Sequence, residues 1–191
     1  MKIIVTGFED YISQPNPTRL LAESLPSSME EIMISTIVLP VKFGEAWQKL
    51  SEFLRGQGSI DAIVNFGEAP GAEHVIFEKN AYNVRDTGEI IEGGPDKIPT
   101  KLPITELYNY FKSAPSGTYM NPMYNDSPEG AYLCNYIFYE VLYHCINVPY
   151  RGFVHLGDFG SDFEQQKPLI LKTGKEVVRQ MALWVRQNQI T

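Results

Sequence analysis

The chain has 191 residues, with 16 basic and 23 acidic side chains, and its formal net charge is −7 at pH 7. A chain of this length buries about 70% of its exposable area on folding, and we expect residues 1–191 to form a single domain. The acidic balance, without a Lys/Arg cluster, argues against nucleic acid or an anionic membrane as a partner, because such binding needs basic side chains that neutralise phosphates. Small molecules or peptides remain as substrates.

The first predicted elements alternate between strands and helices. β-branched residues at 2–6 predict a buried strand, and Asn16-Pro17 predicts the start of a helix, because Asn caps helices and Pro suits their first turn. A strand over 31–39, a helix through 43–54 and a strand over 61–66 follow. This alternation predicts a mostly parallel sheet that is covered on both faces by helices.

The rest of the chain is less regular. Its predicted elements are an irregular strand at 74–84, a long loop at 85–99, a helix at 103–112, a short strand at 118–121, a turn-rich loop at 121–130, a helix at 131–145, a strand at 152–156 and a helix at 165–187. No apolar segment approaches the roughly 20 residues of a membrane span, and the N-terminal apolar run is too short for a signal peptide. We therefore expect a cytoplasmic protein.

Cys134 and Cys145 are the two cysteines, which are too few for a disulfide framework. On one predicted helix they would lie about 16 Å apart and could not bridge. Cys134 falls in the first helical turn, where the partial positive charge and free N–H groups favour a thiolate and can bind an oxyanion, so it is a candidate nucleophile. Cys145 lies deeper in the helix and is better explained as a small buried apolar residue.

A nucleophilic thiol needs a histidine partner, and the chain has only three histidines. His144 lies about 15 Å from Cys134 along the same predicted helix, which excludes it. His155 lies near the C-terminal end of an apolar strand, where α/β sheets bind ligands, although a lone strand histidine is more often a core residue. Glu78 follows an apolar segment and could orient an imidazole; the alternative is an exposed edge residue that pairs with Lys79 or with nothing.

Several functional motifs are missing. The first strand is not followed by GxGxxG, and the chain has neither GxxxxGK[ST] nor GxSxG, so the usual nucleotide cradles and the serine hydrolase elbow are absent. Three scattered histidines and two distant cysteines give no zinc spacing. We expect neither a metal nor a cofactor.

Seven groups of residues together carry a resemblance to a known family. They are Val5-Thr6-Gly7-Phe8-Glu9 with Asn16-Pro17-Thr18, Leu39-Pro40-Val41 with Phe43-Gly44, Gly67 to Gly71, Phe77-Glu78 with Ala81 and Asn83, Leu102-Pro103-Ile104, Tyr132-Leu133-Cys134-Asn135, and Gly152-Phe153-Val154-His155. In this order the set resembles pyroglutamyl peptidase type I, also called pyrrolidone carboxyl peptidase, a family of cysteine peptidases.

The resemblance implies a three-layer α/β/α sandwich and a catalytic triad in which Cys134 attacks, His155 acts as base and then acid, and Glu78 orients His155. It implies removal of an N-terminal pyroglutamyl residue from a peptide or small amide through an acyl-enzyme, without a cofactor, and a possible dimer or tetramer. The positions that match the family's substrate pocket are Phe8, Tyr11, Glu68, Tyr132 and Leu133.

The chain departs from the family at several positions near these residues. Ala72 replaces a typical arginine, Pro128-Glu129 replaces a small pair before the nucleophile, and Gly157-Asp158 follows the histidine strand where the family usually has Val-Pro. The loss of a basic group and the gain of acidic groups make the electrostatic potential near the predicted triad more negative. Two alternatives therefore stay open: the same triad acting on another small acyl or lactam substrate, and a non-catalytic binding protein on the same scaffold.

Overall fold

The computed structural model describes residues 1–11, 15–127 and 132–188. The strands are β1 (Lys2–Phe8), β2 (Ser28–Met29), β3 (Ile32–Leu39), β4 (Ala62–Ala69), β5 (His74–Glu78), β6 (Asn80–Tyr82), β7 (Lys97–Pro99), β8 (Asn121–Asn125) and β9 (Tyr150–Gly157). The helices are α1 (Pro17–Ser24), α2 (Glu45–Arg55), α3 (Ile104–Ser113), α4 (Leu133–His144) and α5 (Phe163–Gln187), and a short 3-10 helix covers Gly160–Asp162.

Seven strands form the central sheet, in the order β2-β3-β1-β4-β9-β5-β8. The strands β3, β1, β4 and β9 are parallel to one another, whereas β2 runs antiparallel to β3, and β5 runs antiparallel to β9 and parallel to β8. The prediction of a mostly parallel sheet is therefore confirmed. The strands β6 and β7 form a separate antiparallel pair.

Helices cover both faces of the sheet, which confirms the three-layer α/β/α sandwich. On one face, residues of α1, α3 and α5 pack in one apolar cluster, with Leu21 and Val177 fully buried. On the other face, α2 and α4 pack in a second cluster around Leu50 and Ile137. The sheet residues alternate between the two clusters because successive side chains of a strand point to opposite faces.

One buried amide joins the three strands at the centre of the sheet. Asn65 in β4 is fully buried; its Oδ1 accepts a hydrogen bond from Thr6 Oγ1 at 3.0 Å, and its Nδ2 donates to the Gly152 carbonyl at 2.9 Å. The buried polar groups are thereby satisfied. The register of β9, which carries His155, is tied to β1 and β4 by this residue.

Three sequence predictions on the edge of the sheet are wrong in detail. The strand predicted at 74–84 is interrupted at Lys79 and continues as β6, and the loop predicted at 85–99 ends in β7. The strand predicted at 118–121 lies instead at Asn121–Asn125, inside the predicted loop. β8 is an edge strand that pairs only with β5, a position where Pro122 is tolerated. Apolar and polar residues do not alternate clearly in β8, so its sequence resembles a turn. The departures at 128 and 129 lie outside the described residues.

The start of α1 agrees with the capping signal in the sequence. Asn16 is the N-cap of α1, and its Oδ1 accepts hydrogen bonds from the Thr18 N–H at 2.9 Å and from Thr18 Oγ1 at 2.7 Å. Among the residues that the structure describes, no helix is sufficiently long and apolar to cross a membrane.

The first prediction concerns Gly7, where β1 lies directly against α1. A Cβ at Gly7 would lie 2.2 Å from the Thr18 carbonyl oxygen, so Gly7→Ala must displace the helix backbone. We expect the free energy of unfolding to fall by about 1–3 kcal/mol in urea denaturation. Gly56→Ala is the control, because its Cβ would lie 3.6 Å from the Phe53 carbonyl oxygen, an ordinary contact. Equal losses in the two variants would contradict the proposed crowding.

Candidate active site

The nucleophile candidate Cys134 lies in the first turn of α4, as the sequence predicted. Tyr132 is the N-cap residue, in an extended conformation, and Leu133 is the first helical residue. Asn135 fixes this end of the helix: its Nδ2 donates to the Tyr82 carbonyl at 2.8 Å, and its Oδ1 accepts from the Tyr82 N–H at 2.9 Å. The half-buried thiol of Cys134 therefore lies where the helix has partial positive charge and N–H groups without intrahelical partners.

The sulfur of Cys134 approaches the sheet at Gly67 of β4. A Cβ at Gly67 would lie 2.8 Å from Cys134 Sγ and 2.7 Å from the Phe153 ring, so no side chain fits there. His155 of β9 pairs with Gly67 in the parallel register, and its ring lies 4.8 Å from that of Phe153, centroid to centroid. The glycine thus leaves the space in which the thiol and the imidazole meet.

Glu78 approaches His155 from the antiparallel strand β5. Ile76 is directly opposite His155, so Glu78, two residues further along, is a diagonal neighbour on the same face. Nδ1 of His155 donates a hydrogen bond to Glu78 Oε1 at 2.7 Å, and the Glu78 residue is only 6% exposed. The alternative of an exposed Glu78 at an edge is therefore wrong.

The other carboxylate oxygen of Glu78 has a partner that sequence reasoning missed. Asn125 Nδ2 donates a hydrogen bond to Glu78 Oε2 at 3.0 Å. Asn125 is the last residue of β8, which pairs in parallel register with β5, so the two side chains lie opposite each other. The sequence carries no usable signal for Asn125, because the polar residues around it are typical of a turn-rich loop.

The pKa of His155 reflects these contacts. Burial lowers it, but hydrogen bonds with Cys134 and Glu78, together with the attraction of their charges, outweigh burial and raise the pKa to about 10. The ring is therefore an imidazolium at neutral pH, between a sulfur and a carboxylate. A positive charge beside a thiol stabilises the thiolate, which is the nucleophilic form.

The remaining cysteine and histidine on α4 are separate from this group. Burial raises the pKa of Cys145 to about 11, which is typical of an inert thiol. His144 Nε2 lies 3.1 Å from Glu140 Oε2, and the ring stacks on Trp47 with 5.3 Å between centroids. Both cysteines are free thiols, as predicted.

The residues predicted to form a pocket divide into a buried pair and an exposed pair. Phe8 and Leu133 are buried in the apolar cluster that contains Phe153. Tyr132 is 73% exposed and Tyr11 is 63% exposed. Tyr132 is adjacent in sequence to the start of α4, and Tyr11 immediately precedes residues 12–14, which lie outside the described part of the chain.

Glu68 follows Gly67 at the end of β4, but alternation directs its side chain away from Cys134, to the other face of the sheet. It is half-buried and hydrogen-bonded to Asp158. Burial, the Asp158 carboxylate, and more weakly Asp10 raise the pKa of Glu68 to about 7. From the sequence, Asp158 was evident only as a departure from the family, and its contact with Glu68 was not predicted.

Within residues 1–11, 15–127 and 132–188, no group of three or more His, Cys, Asp or Glu side chains is arranged to hold a metal ion. What the site offers is a thiol, an imidazolium and a carboxylate in a hydrogen-bonded chain, next to a helix N-terminus.

The second prediction compares the two thiols. At neutral pH, iodoacetamide should alkylate Cys134 at least about tenfold faster than Cys145, because only Cys134 faces an imidazolium. Mass spectrometry of the two peptides at short labelling times measures both rates in one sample. Equal labelling rates in the native protein would contradict the activation of Cys134 by His155.

The third prediction concerns the pH dependence of stability. Because the pKa of His155 rises from 6.5 to about 10 on folding, its stabilising contribution is complete below about pH 6.5 and is lost as the pH rises through about 10. Glu78→Gln removes one partner of the imidazolium, so we expect this loss to begin at lower pH in urea unfolding. Glu73→Gln, at an exposed position before β5, is the control and should follow the wild-type curve. If the stability of Glu78→Gln depended on pH in the same way as that of wild type, the proposed role of Glu78 in raising the pKa of His155 would be contradicted.

Comparisons with known proteins show to which family this chain belongs. A family model described as pyroglutamyl peptidase matches residues 1–169. The pyrrolidone-carboxylate peptidases of Pyrococcus furiosus and Finegoldia magna are 31% and 28% identical to this chain over 173 residues, covering 82% of this chain and 80% and 78% of those proteins.

Solved structures of the same family have a similar fold. Two mutant forms of the pyrrolidone carboxyl peptidase of Pyrococcus furiosus superpose with TM-scores of 0.81 and 0.82, at 26% and 25% identity, and 100% of both chains is covered in each case. These structures share the α/β architecture and confirm the predicted fold class. The matches in sequence and in fold confirm the resemblance, and the chain belongs to the pyroglutamyl peptidase family of cysteine peptidases.

Proposed function

We propose that this chain removes an N-terminal pyroglutamyl residue from peptides and small amides, with Cys134 as nucleophile, His155 as acid and base, and Glu78 as the residue that orients His155. The observation that carries the proposal is the buried hydrogen-bonded chain from Cys134 through His155 to Glu78. Family membership supplies the substrate class.

The proposed reaction begins with attack of the Cys134 thiolate on the acyl carbon of the pyroglutamyl residue. The new C–S bond gives a tetrahedral oxyanion, which N–H groups at the start of α4 can stabilise. His155 then donates its proton to the leaving amine as the C–N bond breaks, and a thioester remains. Water, deprotonated by His155, attacks the thioester, which releases pyroglutamate and restores the thiol.

Glu78 and Asn125 support this cycle without touching the substrate. The Glu78 carboxylate accepts a hydrogen bond from the Nδ1–H of His155, so Nε2 of the ring is left for proton exchange with the sulfur, the amine and water. Asn125 holds the second oxygen of the carboxylate. Glu78 therefore has little freedom to rotate away from the ring.

The proposed pocket is built from apolar and aromatic residues. Phe8 and Leu133 belong to the apolar cluster that contains Phe153, and Tyr11 and Tyr132 carry exposed rings, that of Tyr132 at the N-cap of α4. A neutral lactam suits such a surface, because no charge is buried when it binds. Glu68, which the resemblance places in the pocket, directs its side chain to the face of the sheet opposite to Cys134, so no contact with the lactam is proposed for it.

We further propose that the protein works without a cofactor, in the cytoplasm, as a dimer or tetramer. The proposed chemistry needs only a reduced thiol, and the cytoplasm keeps thiols reduced. The net charge of −7 supports a peptide or small amide as partner in preference to nucleic acid. The family resemblance supports the oligomer.

The fourth prediction tests the activity. Purified protein in reducing buffer should hydrolyse a pyroglutamyl fluorogenic amide, and Cys134→Ala should reduce the rate to background because the nucleophile is lost. Cys145→Ala is the matched control and should retain activity, since this thiol lies at the far end of α4. Wild-type activity no higher than that of Cys134→Ala would contradict the proposal.

A panel of related cyclic amides extends the same assay. Cleavage of another lactam in preference to pyroglutamyl would support the alternative of a different small acyl substrate. Failure on the whole panel, with slow labelling of Cys134 by iodoacetamide, would instead favour a binding protein.

A further inference from the structure

Two turns meet at the edge of the sheet beside the candidate active site. One follows β4 at residues 69–73, and the other follows β9 at residues 157–160. The Phe159 N–H donates to the Ala72 carbonyl at 3.0 Å, and a Cβ at Gly157 would lie 2.1 Å from the same oxygen. The two turns therefore pack backbone against backbone, without room for a side chain between them.

Asp158 fastens the two turns together. Its Oδ1 accepts the Gly71 N–H at 2.5 Å and the Gly160 N–H at 2.9 Å, one from each turn. The residue is only 7% exposed, so its charge needs these donors.

Glu68 supplies the remaining contact of Asp158. Two carboxyl groups within hydrogen-bond distance do not both ionise readily, because like charges repel in a partly buried site. Since Asp158 has the backbone donors, Glu68 holds the proton and donates it to Asp158. In the described part of the chain the other carboxylate that acts on Glu68 is Asp10, which is paired with Arg19 at 2.7 Å.

This pair is adjacent to the reacting groups along both strands. Glu68 directly follows Gly67, which touches the Cys134 sulfur, and Asp158 comes three residues after His155. The β4–β9 ladder holds Gly67 opposite His155 independently of the turns. The turns therefore affect the rim of the site more than the contact between thiol and imidazole.

We propose that Glu68 and Asp158 share one proton and act as positioning residues for substrate binding, because the shared proton holds the turns at 69–73 and 157–160 together at the rim of the site. The role in substrate binding rests on the proposed function, whereas the shared proton does not. When Glu68 ionises, two adjacent carboxylates repel, and the turns separate.

Stability as a function of pH tests the shared proton without any substrate. Because folding raises the pKa of Glu68 from 4.5 to about 7, wild type loses stability as the pH rises between these values. Glu68→Gln should abolish this loss, since its amide N–H donates to Asp158 at every pH. The urea midpoint of Glu68→Gln should therefore rise relative to wild type from about pH 4.5 to about pH 8.

Asp10→Asn is the matched control for charge. It removes a carboxylate that acts on Glu68 but leaves the hydrogen bond between Glu68 and Asp158. Its stability curve should be displaced by a roughly constant amount above about pH 5 and should keep the slope of wild type. Parallel curves for wild type and Glu68→Gln would overturn the shared proton.

Steady-state kinetics test the positioning role. The KM of wild type for a pyroglutamyl amide should rise about tenfold or more from about pH 6 to about pH 9, whereas the KM of Glu68→Gln should not follow this titration. The kcat value and the rate of Cys134 alkylation should lack the transition near pH 7, since the ladder holds the thiol and the imidazole.

The outcomes separate this inference from the proposed function. Equal pH dependence of KM in wild type and Glu68→Gln, despite different stability curves, would overturn the positioning role. A transition of Cys134 alkylation near pH 7 that Glu68→Gln removes would also overturn it, because the pair would then act on the nucleophile. Absence of hydrolysis at any pH would reject the proposed function, and the positioning role with it, while the stability curves would still decide whether the proton is shared.

Discussion

The hydrogen bond between His155 and Glu78 depends on one inversion in the sheet. β5 runs antiparallel to β9, whereas the other neighbour of β9, β4, is parallel to it. This inversion makes Glu78 the diagonal neighbour of His155 from one side, while the parallel register brings Gly67 to it from the other. The imidazole of His155 is thus held between β4 and β5, which run in opposite directions. The helix α4 supplies the thiol.

The sequence predicted the elements that have strong local signals. The β-branched strands, the Asn16 cap and the alternation of strand and helix all fix local structure within a few residues, so the fold class and the first turn of α4 followed from pattern. Periodicity and spacing did not bring His155 and Glu78 together, because their contact joins residues 77 positions apart across an antiparallel pair. Only the family resemblance connected them.

The features that the sequence did not predict are contacts between chain segments that are distant in sequence. Asn125 lies on an edge strand whose polar residues resemble a loop, so neither its strand nor its hydrogen bond to Glu78 had a local signal. Asp158 and Glu68 were visible as departures in charge, but their pairing depends on how two turns pack. Patterns within one segment cannot report such packing, because it is decided by the register of strands far apart in the chain.

The burial of Glu78, at one end of the hydrogen-bonded chain, limits how the His155 ring exchanges protons with solvent. Glu78 is 6% exposed, and its two oxygens are occupied by His155 and Asn125. Bulk water therefore has no ready route to the imidazole through the carboxylate. The ring therefore exchanges its proton through Nε2, on the side of the Cys134 sulfur. A molecule bound on that side also controls when the imidazole can exchange its proton with solvent.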